Sequence, residues 1–576
     1  MTDKSQLRKA TKYKFDFLPI LQWLPRYNWK QWIRVDIIAG ITLWGVVIPE
    51  GIAYAGLAGM PVQSGLYTII AALVLYAIFG TSRQLAVVAT SASAVMLAST
   101  IAALNPPDHS TYLALAAALV LIVGIIFVLS GILRLGFITN FISRPVMEGF
   151  IFGLAIFIIV KQLPKLFGIA HGGGNSFEQM VYLFNHLGET KLLVLLIGFS
   201  TLALLFTMHK LSKRIPTGLV VLAVGILASI VFNLSSHGVA IVGNIPAGLP
   251  SLGLPQVKPG DLLALLPSAL GMTLILFSEG LGAADAFASK HDYEVKPDQE
   301  LVAYGFANIG SGMLGGLAAG GSLSQSSVND SAGAKSSISL LVAAALGLIT
   351  IIALTPLFTA LPEVILAAII IYAVTHLMKL RRMQWFYKID RVEFFLGMVA
   401  LLGVLILDVL PGLAVAVLFS IIVIIYRSSR PYGSVLGQIP GDPGAYSDIQ
   451  RHQKNKTIPG LIIFRFNSPI YFANASLFHS RIKELIKECD PPAKAIIVDM
   501  VTNDRLDITS IEMLEKLAEE LQRNDIKMMA THVHQPILQT VRHSGLAEHF
   551  SKIRLFPTID AAVQDYMKLN SIAGDS

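Results

Sequence analysis

The sequence predicts an α-helical polytopic membrane protein with a small α/β domain at its C-terminal end, on three observations. Of its 576 residues 54% are hydrophobic and only 14% charged, with a mean hydropathy of +0.64, unlike a water-soluble chain of this size. The polar residues are segregated, because long apolar blocks run to about residue 427 and an ordinary soluble composition follows after about residue 431. Third, residues 310–336, GSGMLGGLAAGGSLSQSSVNDSAGAKS, set a run of Gly, Ala and Ser between two strongly apolar segments. Irregular polar backbone at membrane depth is tolerated only where protein buries it or it lines a cavity, since each unpaired N–H or C=O in hydrocarbon costs several kcal/mol. A weaker counterpart lies at residues 85–100, LAVVATSASAVMLAST, where a short β-like run meets Thr90, Ser91 and Ser93. Two interrupted segments in corresponding places point to an inverted-repeat transporter with its site between them.

Taken in order, residues 1–35 form a basic segment with Trp23, Trp29 and Trp32 interleaved, suited to the cytoplasmic interface because indoles settle at headgroup depth. About fourteen apolar segments follow, several shorter than the roughly 20 residues of a full span. They lie near 36–58, 63–80, 85–103, 113–134, 145–163, 190–209 and 216–234, then 262–287, 300–318, 323–334, 337–355, 362–379, 392–409 and 411–427. With the N-terminus inside, the inner loops collect Arg83, Arg134, Arg144, Lys210, Lys213, Arg214, Lys290, Lys296, Lys335, Lys379, Arg381 and Arg382. The outer loops 104–112, 355–362 and 408–412 hold no Lys or Arg. The expected domains are a first seven-span repeat at 36–235, a connection and second seven-span repeat at 236–426, a linker at 427–456 and a cytosolic domain at 457–570. Seven is odd, so the repeats are inverted. Their broken helices then aim N-termini at each other, and the partial positive charge there favours an anion.

In the tail, LIIFRF, AIIVDM and IKMMAT read as strands, and SLFHSRIKELIKEC, IEMLEKLAEELQRN and PILQTVRHSG as helices, an alternation that makes an α/β domain of about 110 residues. The net charge of +7 comes from Lys and Arg beside the apolar blocks, so a nucleic-acid partner is not expected. A lone cysteine, Cys489, excludes an intrachain disulfide. His532 and His534 fall short of a zinc ligand set, so neither a metal nor another cofactor is expected.

Several stretches resemble the sulfate permease family of anion transporters. These are DIIAGITLWGVVIPEGIAYAGLAGMPVQSGLYT (36–68) with GTSR at 80–83, and EGLGAADAFASKHDYEVKPDQELVAYGFANIGSGMLGG (279–316) with GGSLSQSSVNDSAGAKS behind it. FRFNSPIYFANA (464–475) and VDMVTNDRLDITS (498–510) resemble the STAS domain that ends many members. The resemblance implies fourteen spans as two inverted seven-span repeats, divided into core and gate domains, usually in a homodimer. It places Glu50 and Tyr54 at the anion site from the first span, Thr90 and Ser91 from the third, and Ser324 and Gln325 from the tenth. Glu279 of the eighth span becomes the residue for a coupling cation. Many members have Gln where this chain has Glu50, and Arg where it has Gln325; the second change removes a fixed positive charge and the first adds a carboxylate, so coupling to transported Na⁺ or H⁺ is expected. The Asp507 to Ser510 corner resembles a phosphorylatable loop, which makes Thr509 and Ser510 regulatory candidates beside the reading of a plain helix cap. Asn329 and Asp330 read as caps or pairs within the core.

The implied function is secondary transport of a small anion such as sulfate, bicarbonate, chloride or a carboxylate, by symport or exchange with an elevator-like motion, and not an enzyme activity. The expected location is the bacterial inner membrane, with both termini cytoplasmic and a cytosolic protein partner for the STAS domain. Two other readings stay open: a nucleobase:cation symporter of the same fold, and a membrane regulator or scaffold whose cytosolic domain is the active part.

Overall fold

The structure is a computed structural model that describes residues 18–137, 143–170, 176–211, 217–243, 248, 252–543 and 553–572. Residues 1–17 of the basic segment, and Lys213 and Arg214, lie outside them. The chain divides into two compact units, Met1–Ser420 and Ile421–Ser576.

Each expected apolar segment carries a helix. In the first half these are α1 (Trp29–Leu57), α2 (Val62–Phe79), α3 (Ser91–Ala103), α4 (His109–Ile132) and α5 (Arg144–Phe167). The surface helix α6 (Ser176–Asn185) follows, then α7 (Leu192–Leu211) and α8 (Thr217–Val231). The second half has α9 (Pro259–Lys290), α10 (Pro297–Met313), α11 (Leu323–Ser331), α12 (Ile338–Ile349), α13 (Glu363–Thr375), the amphipathic α14 (Leu380–Ile389), α15 (Arg391–Leu407) and α16 (Val409–Ser429). Among the described residues, eight helical stretches are long and apolar enough to cross a membrane; α3, α7 and α8 are shorter apolar helices. Side-chain caps set several starts: Asn28 accepts from Gln31 N at 3.3 Å, Asp108 from Thr111 N at 2.7 Å and Asp390 from Val392 N at 2.8 Å.

The helices pack in two groups. In one, α1, α2, α4, α9, α10 and α12 surround the broken segments, with α10 wedged against α4 and α2. In the other, α5 packs on α15 and α13, and α7 on α13; α1 touches this group through α8 and α13. Two buried carboxylates tie loops into the first group. Asp36 accepts from Tyr27 Oη, Lys335 N and Ser336 Oγ at 2.6–2.9 Å, and from Ser336 N at 3.3 Å. Glu300 accepts from Tyr76 Oη, Thr81 N and Thr81 Oγ1 at 2.7 Å and from Ser82 N at 3.3 Å. Asp330 receives Lys290 Nζ at 2.6 Å and His291 Nε2 at 2.5 Å, and Asn329 Nδ2 donates to Gln84 O at 3.0 Å, the structural pairing expected of both.

The second unit is a six-stranded sheet. Its strands are β3 (Gly433–Gln438), β4 (Tyr446–Asp448), β5 (Leu461–Phe466), β6 (Ala495–Asp499), β7 (Lys527–Thr531) and β8 (Arg554–Phe556), in the order β4-β3-β5-β6-β7-β8. From β5 to β8 neighbours are parallel; β3 is antiparallel to β5. Helices α17 (Ala475–Glu488), α18 (Ile508–Arg523) and α19 (Gln535–His543) cover one face around Phe464, Phe466 and Phe478, and α20 (Ile559–Ile572) covers the other. The Pro- and Gly-rich stretch read as linker therefore contributes β3 and β4. Its turns hide Gly433, Ser434 and Val435, whose partner strand β5 supplies the pairing.

Candidate functional site

The interrupted segments of the two halves meet. Strand β1 (Ala86–Ala89) pairs antiparallel with β2 (Ala319–Ser322), in the register Ala86 to Ser322 and Ala89 to Ala319. Each strand runs straight into a half-helix, β1 into α3 and β2 into α11, so the two helix starts oppose each other across a four-residue ladder. Buried side chains replace the sheet that the pair lacks. Asn308 donates from Nδ2 to Ala319 O and accepts Ala319 N at Oδ1, both at 2.9 Å. Thr68 Oγ1 accepts Leu317 N at 2.6 Å, and Ser311 Oγ donates to Leu317 O at 2.6 Å. Ser326 Oγ accepts Ala86 N at 2.8 Å and donates to Ser322 O at 2.5 Å, stitching α11 to β1.

The helix starts are capped by hydroxyls and carry no fixed charge. Thr90 Oγ1 accepts Ser93 N at 3.1 Å, while Ser93 Oγ accepts Thr90 N at 3.0 Å; Ser322 Oγ accepts Gln325 N at 3.4 Å. The other first-turn N–H groups have no partner within their own helices, and they carry the partial positive end of the helix dipole. Close approach of a third helix depends on glycine: a Cβ at Gly280 of α9 would lie 3.0 Å from Gly321 N, and one at Gly321 would lie 2.7 Å from Gly280 Cα. Glu279 thus sits beside the ladder.

The structure brings three of the expected site residues, Glu50, Tyr54 and Gln325, into contact. Gln325 Nε2 donates to Glu50 Oε2, which also takes the Tyr54 hydroxyl at 3.5 Å. Thr90 and Ser91 are buried at the start of α3. Glu279 is half-buried and adjoins Gly280, which packs against the ladder. Ser324 is exposed, next in sequence to the buried Gln325, and Glu50 is half-buried. Gln325 Oε1 and Ser278 Oγ are buried polar atoms with no hydrogen-bond partner among the described residues. Sequence reasoning missed Asn308, Ser326, Thr68 and Ser278; an Asn or Ser in an apolar helix is a weak signal until its partner is known.

In the second unit, Asp507 Oδ1 accepts Ser510 N at 2.8 Å and Ser510 Oγ at 2.6 Å, and its Oδ2 accepts Phe472 N at 2.7 Å. Ser510 is therefore buried in the cap, while Thr509 is exposed.

Two half-helices joined through a strand ladder inside an apolar helical bundle define a membrane carrier. Residues 33–400 match the sulfate permease family and residues 452–562 the STAS domain, and the chain belongs to the sulfate permease family, a family of transporters rather than enzymes. A relative named "Probable sulfate transporter Rv1739c" in Mycobacterium tuberculosis is 32% identical over 539 residues, covering 94% of this chain and 96% of its own. Sulfate transporter 3.1 of Arabidopsis thaliana is 31% identical over 578 residues, covering 95% and 86%. The fold is shared with the murine Slc26a9 anion transporter in its inward-facing state, with a TM-score of 0.88 at 23% identity over 96% of this chain and 94% of that one. The transmembrane domain of the cyanobacterial bicarbonate transporter BicA gives a TM-score of 0.59 at 24% identity over 68% and 97%.

Proposed function

We propose that this chain is a secondary active transporter of a small anion, coupled to Na⁺ or H⁺ or exchanging one anion for another. The observation that carries the reading is the pair of hydroxyl-capped helix starts opposed across the β1 and β2 ladder. Helix starts of this kind hold an anion through N–H groups and helix dipoles. Ser91, Ser324 and the first-turn N–H groups bind the anion in this reading, and Glu279 binds or neutralises the coupling cation. Glu50, Tyr54 and Gln325 form the wall from α1 and α11. The orphan Gln325 Oε1 suits a cation or the O–H of bicarbonate, and Ser278 Oγ can donate to an anion.

The same reading takes the helices as fourteen spans in two inverted repeats, with the group around the ladder as core and the group built on α5, α13 and α15 as gate. The core slides against the gate to alternate access. Both termini are cytoplasmic, the transporter works as a homodimer, and the STAS domain receives a cytosolic partner, with exposed Thr509 as the position open to phosphorylation. The names of the Mycobacterium and Arabidopsis relatives make sulfate the first anion to try, and the name of the cyanobacterial transporter makes bicarbonate the second.

Proteoliposome flux tests the reading. Sulfate or bicarbonate uptake driven by a Na⁺ or pH gradient is expected, with no competition by uracil; uracil uptake instead makes the chain a nucleobase symporter. Glu279→Gln is expected to abolish gradient-driven uptake while leaving the protein folded, and unchanged coupling removes that role from Glu279.

A further inference from the structure

Apart from the transport site, the first unit holds a cavity of about 390 Å³ lined by three loops and the segment that leads into α1. Its cations are Arg26, Arg83, Lys296 and Lys335, against one lining carboxylate, Glu294. Trp23, Tyr27, Trp32 and Tyr293 form aromatic walls, and the buried Ser82, Ser336 and Ser337 make a hydroxyl floor. None of the residues assigned to transport lines it.

Its walls are held in place. Glu300 fixes the loop that carries Arg83 by accepting Thr81 N, Thr81 Oγ1 and Ser82 N, and Asp36 fixes the loop that carries Lys335 by accepting Lys335 N and Ser336 N. Neither carboxylate lines the cavity, and each spends its oxygens on four donors. Tyr293 spans the third side: its hydroxyl bonds Ser82 Oγ at 2.9 Å and donates to Gln84 Oε1 at 2.8 Å, while the Arg83 guanidinium lies 4.9 Å over its ring. Four exposed cations, two of them on anchored loops, give the cavity a cationic rim.

A cavity of this size is larger than a monatomic or small inorganic anion requires. Indoles at its wall belong to headgroup depth. Basic pockets between spans at a membrane face take the phosphate of anionic headgroups.

We propose that this cavity binds a phosphate group carried on a larger molecule, either the headgroup of an anionic phospholipid or a soluble phosphate ester. The proposal rests on the transporter reading only in setting the cavity at the cytoplasmic interface; binding there is measured without flux, so the two fail separately.

The test is native mass spectrometry of the detergent-solubilised full chain with phosphatidylglycerol, phosphatidylcholine, glycerol 3-phosphate or inorganic phosphate. Retention of phosphatidylglycerol over phosphatidylcholine is expected, weakened about thirtyfold in Arg83→Gln/Lys335→Gln, since each cation at an anionic surface contributes roughly a factor of five. Lys388→Gln/Arg391→Gln, which removes two cations outside the cavity, is expected to bind as the parent does. Glycerol 3-phosphate displacing the lipid at equal concentration supports the site and makes a soluble ester its occupant. Equal retention by Arg83→Gln/Lys335→Gln and the parent overturns the proposal, as does equal retention of the two phospholipids with no binding of glycerol 3-phosphate. Should the double variant not fold, Arg83→Lys and Lys335→Arg, which keep the charge, are expected to retain the lipid, and Arg83→Gln alone to weaken it about fivefold.

Discussion

Asn308 gives β2 what a neighbouring strand gives elsewhere, one donor and one acceptor for Ala319 in a place that water does not reach. Asn308→Leu leaves both Ala319 groups unpaired, at roughly 1–3 kcal/mol each, and is expected to lower the melting temperature in detergent and abolish uptake. Fluorescence-detected gel filtration after heating checks this, and an unchanged profile removes the clip from the account. In the STAS domain, burial raises the Asp507 carboxyl, but the donors Ser510 and Phe472 outweigh it and hold it below the usual carboxylate range. A folded pKa below the unfolded value, about 3.9, contributes stability that is complete above that value and is lost as pH falls through the folded one. Hydrogen exchange at the first turn of α18 is therefore expected to quicken under acid conditions, relative to its intrinsic rate, and Asp507→Asn to remove that pH dependence. Among single residues, Glu50 and Glu279 were legible because a carboxylate within an apolar run is expensive. Asn308 was not, because an amide in a helix is ordinary until its partner is known.

At the scale of the element, the ladder rather than either strand is the unit. The run LAVVA reads as β-like on its own, but AGGS does not, since Gly has low strand propensity and no side chain to pack. Those glycines are what let α9 pass against the ladder. Gly321→Val forces its side chain into Gly280 and Leu85, and overpacking of this kind costs about 1–3 kcal/mol. The expected result is lost uptake with the STAS domain still folded, read by flux and by limited proteolysis; uptake at the parent rate shows that the approach is not required. The strands β3 and β4 show the converse: a stretch full of turn residues joins a sheet because β5 offers an open edge.

At the scale of the whole molecule, the alternation of Lys- and Arg-rich loops with loops that lack them fixes an expected orientation. With Cys489→Ser as background, Asn105→Cys is expected to react with an impermeant thiol reagent from outside intact cells and Lys388→Cys only after permeabilisation. The reverse pattern inverts the topology, and with it the cytoplasmic placing of the phosphate cavity. A chain lacking residues 440–576 is expected to retain flux, because the residues proposed to hold the anion and the cation all precede the end of α11; loss of flux in a folded truncation gives the STAS domain a part in transport. The membrane class, the two polar interruptions and the strand and helix alternation of the tail can be read without coordinates. Each is a property of composition and period along the chain, and burial imposes those locally. That Gln325 reaches Glu50 across 275 residues of chain, that Asn308 clips β2 and that Ser510 is buried behind Asp507 emerges from the folded arrangement alone. Those meetings depend on the angles and separations at which helices pack, which no periodicity records.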